Sequence, residues 1–92
     1  MSHLSVLALG PERYAVEVRE GDVVTTHKIA VHAAVLDDIG LQDADPARVA
    51  RETVEFLLER ETAAGLWEDF PIEQVATRYP AFYDELVARL TP

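Results

Sequence analysis

Residues 13–31, RYAVEVREGDVVTTHKIAV, decide how the chain is read. Tyr14, Val16 and Val18 alternate with Ala15, Glu17 and Arg19, the two-residue period of a strand with one buried face. Gly21-Asp22 is a tight-turn signal and residues 23–31 resume a strand, so the stretch reads as a β-hairpin. A turn centred on Gly21-Asp22 sets Val18 opposite Thr25, Val16 opposite His27 and Tyr14 opposite Ile29. One face therefore carries Tyr14, Val16, Val18, Thr25, His27, Ile29 and Val31 and is expected to meet the core. The other carries Ala15, Glu17, Arg19, Val24, Thr26 and Lys28. It is expected to face solvent or a partner, with Glu17 and Lys28 placed for a diagonal ion pair.

Upstream, HLSVLAL (residues 3–9) is an apolar run closed by Gly10-Pro11. It is apolar on both sides, which a solvated edge strand rarely tolerates, so it is expected to be central in the sheet or covered by another chain. Downstream the period turns helical. AAVLDDIG (residues 33–40) makes about two turns and stops at Gly40, a natural residue just past a helix end. Asp45-Pro46 supplies an N-cap and a first-turn proline for PARVARETVEFLLERE (residues 46–61). Charges at 48, 51, 52, 55 and 59 make one wet stripe there, with Arg51–Glu55 or Arg48–Glu52 as weak supporting pairs. Gly65 closes or interrupts that helix, and further helices are expected near residues 71–79 and 80–90, separated by Pro80. The fold class is α+β: a small antiparallel meander of about three strands (1–32), then three or four helices packed on one face (33–92), in a single domain 1–92.

Ninety-two residues with 49% hydrophobic content suffice for a core. The lack of cysteine excludes disulfides and thiolate chemistry. The charge of −9 is uneven: residues 1–32 hold four acids and three bases, leaving thirteen acids and five bases in 33–92. Such a surface repels nucleic acid and anionic membrane and favours basic partners or solubility. No apolar run nears the ~20 residues that span a bilayer, and the start lacks a basic leader, so a soluble, unprocessed, cytoplasmic protein is expected.

His27 and His32, five apart, point to opposite faces of an extended strand and cannot share an ion. His27 reads as a core-face imidazole whose neutral form burial favours. The pairs Asp37-Asp38, Glu68-Asp69 and Asp84-Glu85 diverge on a helix and read as solvated faces, and no nucleophile elbow or phosphate loop is present. No catalytic residue, metal or cofactor is expected.

THKIAVHAAVLDDIGLQDADPARVARETVEFLLERE resembles a ribbon-helix-helix domain in its order of strand, short helix, turn and long helix. That resemblance implies strands of two subunits paired in a DNA major groove, with Thr26, Lys28 and Ala30 at the base-reading positions. Lys28 is the only cation among them, and phosphate contacts need many, so nucleic acid is not the favoured partner. FLLERE followed by LWEDFPIEQVATRYPAFYDEL is similar to a set of small prokaryotic proteins of uncharacterised role. The analogy with ribbon-helix-helix antitoxins implies that Trp67, Phe70, Tyr79, Phe82 and Tyr83 are partner anchors in an acidic carboxy-terminal part. Read from the residues alone, the same rings are expected first to finish a monomer core, with a partner-binding patch as the alternative. The leading expectation is a non-enzymatic interaction module, antitoxin-like or regulatory, acting as a homodimer and binding a basic protein through its acidic helical part. A DNA-binding regulator is the alternative, and a small-ligand or enzyme-accessory protein the third.

Overall fold

The computed structural model describes residues 3–91. Strands β1 (His3–Gly10), β2 (Arg13–Glu20) and β3 (Val23–Ala30) form the meander. The hairpin register is the one the turn dictates, with Val16 opposite His27, Tyr14 opposite Ile29 and Val18 opposite Thr25. Gly21 carries the positive φ of 61° that a two-residue turn of this hand requires, and no other residue type in the described chain does so. Glu17 pairs with Arg19 at 3.3 Å, two residues along its own strand, and not with Lys28.

Helix α1 (Ala33–Asp38) follows β3, and Gly40 with φ 79° ends that segment. Helix α2 (Pro46–Leu58) starts where Asp45 Oδ1 accepts the Ala47 amide at 3.0 Å. It stops three residues short of the expected end, and Gly65 instead closes a one-turn 3-10 helix at Ala63–Gly65. Arg51 meets Glu55 at 3.6 Å, while Glu52 faces Arg89 at 3.8 Å. Helices α3 (Ile72–Arg78) and α4 (Phe82–Leu90) flank Pro80.

The meander gains a fourth strand that the sequence reading omits. β4 (Asp69–Pro71) runs parallel to β3, with Lys28 opposite Asp69, Ile29 opposite Phe70 and Ala30 opposite Pro71, so the sheet order is β1-β2-β3-β4. Three residues show no period of their own, and the partner lies about forty residues upstream. What places β4 is a pair of 2.7 Å bonds. The Trp67 carbonyl meets His27 Nδ1, and the Glu68 carbonyl accepts the Lys28 amide.

All helices lie on the face bearing Val16, Val18 and Ile29, each fully buried. Helix α2 lies against β1 and β2 and buries Val49, Ala50, Thr53, Val54, Phe56 and Leu57. Its arc is wide because α4 and α3 pack on its far side. The Thr53 hydroxyl donates to the Val49 carbonyl at 2.7 Å, which satisfies it inside the core. β1 is not central; within the chain it is an edge of the sheet, with a strand on one side only.

Candidate functional site: the uncovered side of the sheet

The aromatic residues expected to anchor a partner are divided by the fold. Phe70 and Phe82 are 1% and 0% exposed, so they finish the core and present no surface. Trp67, Tyr79 and Tyr83 are half-buried and pack against that core. Phe82 meets Phe56 edge-on at 5.0 Å, Phe56 meets Tyr79 at 5.7 Å, and Trp67 meets Phe70 at 5.4 Å. The Arg60 guanidinium lies 3.6 Å from the Phe56 ring centre. The Tyr79 hydroxyl donates to Glu61 at 2.7 Å, and that bond raises the phenol's pKa. These are the contacts of a core and its rim, because each ring already has its neighbours.

Part of the acidic helical region is likewise engaged internally, while Asp37, Asp38, Asp43, Glu68 and Asp84 stand exposed. Arg89 Nη2 lies 2.7 Å from Glu59 and from Glu85, Arg60 reaches Glu85 at 3.3 Å, and Arg13 reaches Asp69 at 3.1 Å. The Arg89 hydrogen bond holds the Glu85 carboxyl below the usual carboxylate range. Burial, reinforced by Glu55, pushes neighbouring Glu52 above it. The two carboxylates therefore act on stability with opposite signs. Glu85 contributes fully above the ordinary carboxylate range, and its contribution is lost as pH falls through its depressed value. Glu52 opposes folding when ionised and is relieved as it takes up a proton. Near neutrality, Glu85→Gln is expected to lower the urea midpoint and Glu52→Gln to raise it, and both differences shrink in acid solution. Changes of the same sign would contradict this assignment.

His32 does not lie on the strand with His27; it stands at the start of α1. Its ring is 3.8 Å from Glu12 and 3.9 Å from Glu73, and Glu12 Oε2 accepts the Ala33 amide at 2.6 Å. This group fastens α1 to the β1–β2 turn and to α3. Among the described residues no group of three or more His, Cys, Asp or Glu side chains could hold a metal ion, and no helix is long and apolar enough to cross a membrane.

What remains open is the other side of the sheet. No helix covers the face bearing Ser5, Leu7, Ala15, Glu17, Val24, Thr26 and Lys28. Leu7 is 65% exposed, Leu9 and Val24 47% each. A dent of about 210 Å³ lies there, lined by Ser5, Val6, Leu7, Ala15, Glu17 and Thr26. Thr26 and Lys28, the candidate base-reading positions, are exposed on this face, while Ala30 lies half-buried at the end of the same strand. Their strand β3 is hydrogen-bonded to β2 on one side and β4 on the other. β4 covers that second edge only at residues 28–30, the stretch that holds the candidate position Lys28, so a two-subunit ribbon through Lys28 would have to displace β4. The outer face holds three cations (Arg13, Arg19, Lys28) against two carboxylates (Glu17, Asp69), a net of +1 on a chain of −9.

The two edges of the sheet differ sharply. β4 is short, carries Asp69 and ends in Pro71, the usual devices that blunt an edge. β1 has eight residues and, among the strands of the described residues, is the only one with no Asp, Glu, Lys or Arg; it also contains no proline. Register fixes which of its groups are free. The Val31 amide donates to the Glu12 carbonyl at 2.8 Å, in phase with the 14–29 and 16–27 pairs, so even-numbered residues of β2 bond to β3. Odd-numbered residues of β2 then bond to His3, Ser5 and Leu7, which lie opposite Arg19, Glu17 and Ala15. The amides and carbonyls of Leu4, Val6 and Ala8 consequently point away from the sheet. The sequence signal for this edge was the two-sided apolar character of HLSVLAL. No family model, curated protein or solved structure matches the chain.

Proposed function

We propose that this protein is a non-enzymatic protein–protein interaction module that works through the uncovered side of its sheet. The observation that carries the reading is the pairing of an unblunted, charge-free edge strand with a helix-free face bearing Leu7, Leu9 and Val24. Leu7 and Leu9 lie on the edge strand itself and Val24 two strands away at the other end of the same face. An exposed apolar edge of this kind is what a binding surface requires, and a soluble monomer ordinarily avoids it. The antitoxin-like or regulatory role suggested by sequence fits this reading with the contact surface moved. The acidic helical part supplies solubility and internal ion pairs, and the sheet supplies the contact. The site of action would be the cytoplasm. DNA regulation is disfavoured, because the outer face that holds Thr26 and Lys28 offers three cations and two of them, Arg13 and Arg19, are paired with carboxylates.

The test is affinity capture from the source cells with the wild type and with Leu7→Lys/Val24→Lys. Both substituted side chains are solvent-exposed, so the double variant is expected to fold with little change in melting temperature. The expected result is a stoichiometric protein partner on the wild type and its loss on the variant. Equal recovery on both proteins, with both folded, would overturn the reading.

A further inference from the structure

We propose that the occupant of the β1 edge is a second copy of this chain, paired antiparallel through β1 about a two-fold axis at Val6, so that two four-stranded sheets join into one of eight strands. The proposal rests on the interaction-module reading and names one partner for the same surface.

Geometry sets the register. Only Leu4, Val6 and Ala8 offer outward backbone groups, so a hydrogen-bonded ladder must match even residues with even. The regular part of β1 ends at Ala8, where the pairing with β2 shifts before Gly10. Centring the axis on Val6 uses that whole regular part. Val6 then faces Val6 of the other copy, and Leu4 faces Ala8 in both directions. Each such pair exchanges two bonds, about six in all. In the same register Leu7 of one copy lies opposite Ser5 of the other, beside the dent lined by Ser5, Leu7 and Ala15.

Side-chain chemistry makes the strand self-complementary. Leu4, Val6 and Ala8 point to the helical side, yet Val6 is only half-buried and Ala8 is exposed, because the helical layer stops short of this edge. A hollow of about 250 Å³, lined by Leu4, Glu55, Leu58 and Glu59, marks where cover is missing. A second β1 brings apolar side chains to both faces at once.

Charge selects the second copy over a basic partner. Two chains of −9 repel each other over most of their surfaces. They can approach along β1, which holds no carboxylate and has the +1 outer face on one side; the two carboxylates on its other side, Glu55 and Glu59, are already paired with Arg51 and with Arg60 and Arg89. β1 itself offers a basic protein no acid to pair with, and the nearby Glu55 and Glu59 already face Arg51 and Arg89. Added salt should therefore strengthen the association by screening repulsion, the reverse of what salt does to an acid–base contact.

The test is mass in solution, by sedimentation or light scattering, across micromolar concentrations and two salt levels. The wild type is expected to approach twice the 10.2 kDa chain mass, more readily at higher salt. Ala8→Pro removes one outward amide without breaking a bond to β2, and Leu7→Lys places two cations at the seam. Both variants are expected to stay monomeric with melting temperatures like that of the wild-type monomer. A wild type that stays at the single-chain mass at every concentration overturns the proposal, as does a dimer that survives both substitutions or weakens with salt. A monomer that still captures another protein through Leu7 and Val24 sinks self-pairing alone, whereas a monomer that captures nothing sinks the interaction reading as well.

Discussion

Phe82→Ala is expected to lower the unfolding free energy by about 3–5 kcal/mol, the range for deleting a buried ring. Phe82 is fully buried on α4, stacked edge-on against Phe56 of α2 at 5.0 Å and tilted against Tyr83 at 5.5 Å. Removing it takes away the ring contact between α4 and α2 and leaves a cavity that two packed helices close only in part. A domain of this size holds only on the order of 5–14 kcal/mol in total. The loss is therefore a large share, with a fall in melting temperature of roughly 15 °C or more. Denaturant titration measures it directly. A variant that keeps wild-type stability but loses a binding partner would show that Phe82 works at a surface, and would contradict its place in the core.

His27→Ala is expected to cost about 2–4 kcal/mol, through a different mechanism. The ring is buried, with Nδ1 2.7 Å from the Trp67 carbonyl and Nε2 2.9 Å from the Thr25 hydroxyl. A carbonyl only accepts, so in the neutral ring Nδ1 carries the proton and the Thr25 hydroxyl donates to Nε2. Alanine leaves the carbonyl without its donor and removes the stitch that holds residues 67–70 against β3. The loss should therefore be local before it is global. Faster exchange of the Lys28 amide, whose acceptor is Glu68, and a red shift of the single tryptophan are the expected signatures. An unchanged Lys28 exchange rate in a folded variant would show that β4 docks without this histidine.

The hairpin was legible because alternation and a Gly-Asp turn are local signals that agree with each other. The N-cap at Asp45 and the break at Pro80 were legible for the same reason. β4 was not, since a three-residue parallel strand draws its definition from bonds to a distant partner. The aromatic residues show the limit of pattern reading most clearly. Phe82 and Tyr83 are neighbours on one helix, yet one is sealed against Phe56 and the other lies half-buried beside it. Which of two adjacent rings turns inward depends on where α2 crosses, and that is not written in residues 82 and 83. The two-sided apolar character of β1 was visible in sequence and posed a choice between a central and a covered strand. The fold leaves it at an edge, so the question passes from folding to assembly.

Amide exchange along β1, followed residue by residue at low and high protein concentration, tests the central claim most directly. The account predicts an alternation in dilute solution, with Ser5 and Leu7 protected by β2 while Leu4, Val6 and Ala8 exchange freely. On concentration those three amides should become protected together. If they stay fast at every concentration and in the presence of any captured partner, the β1 edge is not a contact surface.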